Sequence, residues 1–531
     1  MTDVQQLASE ILDVGDRRFW TDDYEARMDA FAERIQELDP DTRAALFDEI
    51  LEQDSGAPHS WLTTERLNSL VDEGRITAQE RGSIMDAFGQ AYVEGDISFI
   101  EAMEFTNLFG SSAVGPMGLM PESGTVDALI ATLTDSNSPY SSQFIEKFAT
   151  EILTQRIFSD PSVSLPAEQG AYAGVLLNAL DQVGGTRAVN SVLSQLSPEQ
   201  RTALRDAISA DGHSFESPMM EDSNARDPMT ILIETVSQHG SDAEVVDLVR
   251  FVDSHSSGDF MENHYYDSDN KPYDGRAEAL GELFTNHSDA ILNALTVANP
   301  TQTSGSANDR STVVGQNLAA LSNLVRMTGL NPDNSNGAAV MDAIGKFTAE
   351  NIRLGNMAEN TDVNGDGKVD AADIEAIDAG NGRAAMIGAV MQDAVSAGYV
   401  DLRADIAARD AFVGFLLDVA ISAIPVAGDI AAGSISKQIK EALNLSDAVE
   451  EQIADSLSSI PKDLLTDGQG ALTDQAKNAI IEALPEDYQY LEGIKGESNT
   501  FIEDMILGAS NRDYQITESM SDYRDYIERA G

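Results

Sequence analysis

The chain has 531 residues, 42% of them apolar, and its 33 basic and 90 acidic residues give a formal net charge of −57. So acidic a surface repels phosphate backbones, which excludes nucleic acid as an expected partner. The same charge suits a protein kept soluble in high salt, so a halophilic source and a location outside the cell both fit. The length allows two to four domains with their own hydrophobic cores.

The sequence contains no cysteine, so neither disulfides nor thiol chemistry is expected. The first residues, Met1 to Gln6, lack the basic and apolar regions of a Sec signal peptide. No apolar run of about 20 residues predicts a transmembrane helix. We therefore expect secretion by a route that ignores N-terminal signals, or an extracellular location. The alternative is a cytoplasmic protein of a halophile.

Apolar residues recur with helical spacing along the whole chain, and few segments alternate as strands do, so the sequence predicts an all-α, multi-helical fold of several packed subdomains. Polar and Gly/Pro-rich breaks divide it into four predicted regions: 1–110, 125–215, 229–300 and 313–531. The first contains a structural helix–loop–helix pair. The second has a segment, Leu196–Leu204, that matches Leu38–Leu46. The match indicates a partial repeat, although helix starts also resemble one another without duplication.

The third region contains an acidic, histidine-bearing loop with His255, Glu262, His264 and Tyr265. Imidazoles and a carboxylate this close are able to bind zinc or act as acid and base, which is the basis of a hydrolase hypothesis. Their spacing matches no established metal motif. A polar loop between helices is the simpler interpretation.

The adjoining segment Asp267–Glu278 has acids at positions 1, 3 and 12 of a twelve-residue loop. Its glycine, Gly275, stands at position 9 instead of 6, and Lys271 occupies position 5. We therefore interpret it as a degenerate calcium loop at best.

The fourth region contains the segment with the most specific chemistry, the Asp-rich loop Asp362–Asp373. Its candidate ligands stand at positions 1, 3, 5, 7, 9 and 12: Asp362, Asn364, Asp366, the carbonyl of Lys368, Asp370 and Asp373. Gly367 at position 6 permits the sharp turn that such an oxygen cage requires. The pattern predicts a calcium ion, and the alternative is a solvated turn between helices.

This loop resembles an EF-hand, and within that superfamily the dockerin-type repeat. Dockerins carry two such repeats, and no second clean copy occurs here, so their cohesin-binding role is not transferred. Asp373 replaces the usual glutamate, and its shorter arm predicts weak affinity, roughly 10⁻⁴ M or weaker.

About 40 residues further on, residues 411–435 form the most apolar part of the chain, interrupted only by Asp418 and Asp429. Pro425 and Gly428 divide the segment into two short helices. The turn Ile424–Asp429 is similar to that of the apolar hairpin in toxin translocation domains and polymorphic-toxin pre-toxin regions. That resemblance implies membrane insertion after both aspartates are neutralised. The alternative is a buried hairpin of a helical domain.

No nucleophile elbow, P-loop or dinucleotide-binding glycine motif occurs. We therefore expect a non-enzymatic, calcium-binding helical protein of bacterial effector or toxin-delivery type, acting on a protein partner or, through residues 411–435, on a membrane. The alternatives are a halophilic or extracellular structural module with a passive calcium site, and the hydrolase that would use His255 and His264.

Overall fold

The structure is a computed structural model, and fourteen α-helices account for most of the residues that it describes. Those residues are 5–6, 42, 71, 77–95, 142–157, 166–210, 226–254, 274–296, 313–330, 335–358, 360–404, 406–422, 431–443, 445–466 and 472–484. Within these ranges there is no strand, and one isolated antiparallel bridge joins Thr466 and Leu472. The predicted all-α class is confirmed for this part of the chain.

The chain separates into two compact units, Met1–Thr235 and Val236–Gly531, whose boundary falls inside a helix. The helices of the first unit, up to the one that contains the boundary, are α1 (Ala78–Glu94), α2 (Ser142–Glu151), α3 (Pro166–Leu193), α4 (Pro198–Ala210) and α5 (Pro228–His239). Those that follow are α6 (Asp242–Ser254), α7 (Asp274–Leu295), α8 (Val313–Leu324), α9 (Gly337–Gly355), α10 (Ala371–Ala404), α11 (Ile406–Ser422), α12 (Ala432–Leu443), α13 (Asp447–Ser458) and α14 (Asp474–Ala483). The finer division into four regions stays a prediction.

Capping side chains explain where several helices begin. At the start of α4, the backbone N–H of Ser197 donates to Oε1 of Gln200 at 2.9 Å, and the N–H of Gln200 donates back to Oγ of Ser197 at 3.2 Å. Ser241 and Glu244 form the same reciprocal pair at the start of α6. Each pair satisfies backbone N–H groups that a helix leaves unbonded in its first turn. Most of the matching segment, residues 38–46, lies outside the described residues, so the repeat stays a prediction.

The core of the first unit includes an aromatic cluster between α1 and α2. The ring of Tyr92 meets the rings of Phe144 and Phe148 edge-on, with centroids 5.2 and 6.1 Å away. The buried hydroxyl of Tyr92 donates to Glu151 at 2.7 Å. Burial and this carboxylate raise the pKa of Tyr92. An aromatic side chain is therefore accommodated in the core because its polar end has a partner.

The core of the second unit is built around α11, which packs most extensively against α9. From Phe412 to Ser422 every residue of α11 is buried, including the large rings of Phe412 and Phe415. Gly345 of α9 allows the two backbones to approach, because a Cβ placed there would lie 3.2 Å from Cα of Phe415 and 2.5 Å from Oδ2 of Asp418. The first helix of the predicted apolar hairpin is thus a central core helix, and residues 423–430, with Asp429, lie outside the described residues.

We predict that Gly345→Ala lowers the free energy of unfolding by about 1–3 kcal/mol, because the added methyl overlaps α11. Gly414→Ala, on α11 itself, is the matched control: a Cβ there meets no described atom within 4 Å. Removing a helical glycine should leave stability unchanged or raise it by up to about 1 kcal/mol. Chemical denaturation measures both, and equal losses in the two variants would contradict the close approach of α9 and α11.

Candidate calcium site and a buried ion cluster

The Asp-rich loop connects α9 to α10, so the predicted ligands lie on a helix–loop–helix unit. Asp362 is half-buried, and Asn364, Asp366, Lys368 and Asp370 are exposed. The last ligand position, on the first turn of α10, is different: its side chain, that of Asp373, is 1% exposed.

Asp362 organises the first half of the loop through both of its carboxylate oxygens. Oδ1 accepts the backbone N–H of Gly365 and Oδ2 accepts that of Gly367, each at 2.8 Å. These two glycines have φ values of +71° and +84°, a left-handed conformation that glycine adopts without strain. The turn predicted from Gly367 is therefore present, and a carboxylate at position 1 holds it.

Asp373 ties the two ends of the loop together. Its Oδ2 accepts the N–H of Asp370 at 2.9 Å, while Oδ1 accepts those of Val363 at 2.9 Å and Asn364 at 3.2 Å. The amide of Asp370 is the main cause of a lowered pKa for Asp373, and those of Val363 and Asn364 add to it against the opposing effect of burial. The carboxylate of Asp373 is therefore kept ionised.

The other side chains each use a single oxygen within the loop. Oδ1 of Asn364, of Asp366 and of Asp370 accept the N–H groups of residues 366, 368 and 372, all at 2.9 Å. Oδ2 of Asp366 and of Asp370 make no hydrogen bond to any described residue. The candidate ligand atoms are thus all hard oxygens, which calcium prefers.

The described residues contain no group of three or more histidine, aspartate or glutamate side chains arranged to hold a metal ion. The loop has its turns formed by backbone hydrogen bonds, and its carboxylates are not gathered around one point. Calcium binding here consequently stays a prediction from the donor chemistry and spacing.

Close packing of the flanking helices supports the loop. A Cβ at Gly380 of α10 would lie 2.6 Å from the carbonyl oxygen of Asn351 in α9, and one at Gly355 would overlap the amide of Asn381. Nδ2 of Asn381 donates to the carbonyl of Gly355 at 3.3 Å. The helices on the two sides of the loop are therefore in direct contact where the loop leaves and re-enters them.

Residues of the histidine-bearing loop from His255 to Tyr273 lie outside the described residues, so the hydrolase hypothesis is untested. Glu278, position 12 of the degenerate calcium loop, is described. Its carboxylate accepts the N–H of Ser335 at 3.0 Å and a longer bond from Nδ2 of Asn336. Glu278 therefore supports the start of α9.

Sequence reasoning missed a second constellation, the ion cluster of Asp342, Lys346, Asp418 and Lys477. Nζ of Lys477, on α14, donates to Oδ2 of Asp418 at 2.6 Å and also to Oδ1 of Asp342, on α9. Lys346 pairs with Oδ2 of Asp342 at 2.8 Å. The partners of Asp418 are distant in sequence, so no local spacing signals them.

Burial dominates the electrostatics of Asp418, whose side chain is 0% exposed. Its Oδ1 has no hydrogen-bond partner among the described residues. Burial raises the pKa of Asp418 to about 7, although Lys477 acts in the opposite direction. This carboxyl therefore changes its charge near neutral pH inside the core.

Comparison with family models, with curated proteins and with solved structures gives no match for this chain. Within the described residues, no helix combines the length and apolar character needed to cross a membrane.

We predict that Asp418 makes the fold more stable in mild acid. Because its pKa is about 7 in the fold against an ordinary 3.8, the folded state keeps a proton that the unfolded chain releases between these values. Stability from this group is fully present below the lower value and is lost, at about 1.4 kcal/mol per pH unit, as the pH rises through the window.

The Asp418→Asn variant isolates this effect, since the amide does not titrate and the remaining acidic residues are shared with the wild type. Denaturant titrations across the window should show a free-energy difference between wild type and variant that changes steadily with pH and levels off above about pH 7. A difference independent of pH would contradict the buried, proton-sensitive state of Asp418.

Proposed function

We propose that the chain is a calcium-binding, non-enzymatic helical protein whose Asp-rich loop braces the helices of the second unit. The observation that carries the proposal is the loop between α9 and α10, in which oxygen donors at the predicted positions stand on a turn already formed by Asp362 and Asp373. Turns that are already formed lose less conformational entropy when a ligand binds, and the carboxylates would still have to move together around the ion.

The ligands of the proposed site are Asp362, Asn364, Asp366, the carbonyl of Lys368, Asp370 and Asp373. Calcium would neutralise part of the repulsion between the four aspartates of the loop. Asp362 and Asp373 would hold the ends of the loop together, and the packing of Gly355 on Asn381 would transmit this constraint to α9 and α10. Because α9 also lies against α11, the brace would extend to the core.

The wider role that we propose follows the resemblances of the sequence: a protein exported without a Sec signal, of bacterial effector or toxin-delivery type, which meets a protein partner. Calcium is scarce in the cytosol and abundant outside cells, so the brace would tighten after export. The burial of α11 favours a protein partner over a membrane, because membrane contact would require this helix to leave its core. A structural module with a passive calcium site is the alternative.

We predict that calcium raises the melting temperature of the second unit by a few degrees. With free calcium about a hundredfold above the dissociation constant, the added stability is about 2.7 kcal/mol. Calorimetry with calcium and with a chelator measures the shift, and titration calorimetry measures the affinity. An unchanged melting temperature together with no heat of binding would remove calcium from the proposal.

The Asp366→Asn variant sharpens this experiment. Asp366 uses only Oδ1 in the loop, to accept the N–H of Lys368. An asparagine oxygen is able to keep that bond while one ligand charge disappears. Asp455→Asn, at an exposed position of α13, removes the same charge elsewhere and is the matched control. We expect weaker calcium binding in the first variant and wild-type binding in the second, and an equal response of the two would indicate a general charge effect.

Membrane contact by residues 411–435 has a separate test in lipid vesicles at neutral and acidic pH. We expect no acid-triggered leakage, because protonation of Asp418 removes a charge from the core and so favours the folded position of α11. The test uses the wild type, because polar substitutions of the buried Phe412 and Phe415 would unfold the core and so say nothing about membrane contact. Leakage that appears only in acid would favour the membrane alternative.

A further inference from the structure

The sequence contains three Asn–Gly pairs, at Asn336, Asn364 and Asn381, and all three lie in the described part of the chain. Such pairs deamidate when the backbone nitrogen of the glycine attacks the side-chain carbonyl carbon of the asparagine. The reaction needs a backbone that is not held in a helix and a glycine, which has no Cβ to hinder ring closure. The three sites differ in how far they meet these conditions.

Two of the pairs are held by helices and hydrogen bonds. Asn381 is 2% exposed inside α10, and its Nδ2 donates to the carbonyl of Gly355. Asn336 directly precedes α9, and its Nδ2 donates to the carbonyl and carboxylate of Glu278 at 3.4 and 3.3 Å. In both pairs the amide nitrogen that would leave is engaged, and the glycine belongs to a helix.

The pair at Asn364 differs in that its glycine lies outside a helix. It is exposed on a loop, and its Nδ2 makes no hydrogen bond to any described residue. Its Oδ1 accepts the N–H of Asp366 at 2.9 Å, a bond that would stabilise negative charge developing on this oxygen. Gly365 has a φ of +71° and open space at its Cβ position.

The attacking nitrogen also has a base in contact. The N–H of Gly365 donates to Oδ1 of Asp362 at 2.8 Å, so this carboxylate is placed to receive the proton as the nitrogen attacks. Nucleophile, base and oxyanion donor therefore all lie within the five consecutive residues Asp362–Asp366.

We propose that Asn364 is a self-deamidating site. The nitrogen of Gly365 gives its proton to Asp362 and forms a bond to Cγ of Asn364, whose oxygen is held by the N–H of Asp366. The Cγ–Nδ2 bond then breaks, and the nitrogen takes up a proton and leaves as ammonia. Water opens the succinimide at either carbonyl, which yields aspartate or isoaspartate at position 364. The net change is replacement of the amide by a carboxylate with consumption of one water.

The product alters the loop at a proposed calcium ligand. Aspartate would add a carboxylate at position 3, whereas isoaspartate would lengthen the backbone and displace the bond to Asp366. We also expect calcium to slow the reaction, because it would engage Asp362 and Oδ1 of Asn364. Only this expected effect of calcium rests on the proposed function.

The test is an incubation of the full chain with chelator at neutral pH, followed by peptide mapping for the mass of the acid form and for isoaspartate. We expect conversion at Asn364 to be at least about tenfold faster than at Asn336 and Asn381, a difference of about 1.4 kcal/mol in barrier. Equal rates at the three pairs, or no conversion at Asn364, would overturn the proposal.

Asp362→Asn tests the base, since an amide oxygen is able to accept the N–H of Gly365 but takes up no proton. The variant also loses the second bond of Asp362, from the N–H of Gly367. We expect conversion at Asn364 to slow by about tenfold or more in chelator. An unchanged rate would overturn the role of Asp362. The pairs at Asn336 and Asn381 report folding, because unfolding would accelerate both. If they remain slow, the helices on both sides of the loop are still folded.

A parallel incubation of the wild type with calcium separates the two proposals. Slower conversion than in chelator supports both. Conversion at Asn364 that calcium leaves unchanged contradicts the calcium site and leaves the deamidation site supported by its rate in chelator.

Discussion

The buried carboxylate of Asp418 constrains how the helices of the second unit pack. An ionised side chain at 0% exposure costs several kcal/mol unless an opposite charge reaches it. The buried part of α11, from Phe412 to Ser422, contains no basic residue. Lys477 therefore has to come from α14, and Asp342 from α9 balances the charge that this lysine brings. One charge in α11 thus fixes the positions of two helices that are far from it in sequence.

α9 connects this ion cluster to the Asp-rich loop. Asp342 lies in its first turns and Gly355 at its end, roughly 20 Å apart at 1.5 Å per residue. The same helix lies against α10 near the loop and against α11 along its length, so it has few ways to shift without disturbing both. Both contacts contain a glycine of α9, Gly345 or Gly355. Because a glycine has no side chain, the neighbouring helix approaches closely there, and the packing leaves no room for added volume.

How much could be predicted from sequence depends on the range of the interactions. Helical spacing predicts the all-α class because each helix is patterned by neighbours three and four residues away. The turn at Gly367 follows from local spacing too. The hydrogen bonds that Asp373 accepts from Val363 and Asn364 could not be predicted in this way, because the ligand pattern assigns the carboxylate of Asp373 to a cation. The ion pair of Lys477 with Asp418 could not be predicted from local spacing, because the two residues lie 59 positions apart.

At Asp362, hydrogen bonding to the backbone leaves some of the carboxylate's lone pairs for a cation. A carboxylate has about four lone-pair directions, and Asp362 uses one on each oxygen for Gly365 and Gly367. The remaining directions stay open to a cation, so the bonds that form the turns need not break when one binds. The net charge of −57 would also concentrate cations near the loop, an effect that salt screens within about 10 Å at 0.1 M. High salt would therefore weaken the proposed calcium site through the same screening that would reduce the repulsion between the acidic residues of the chain.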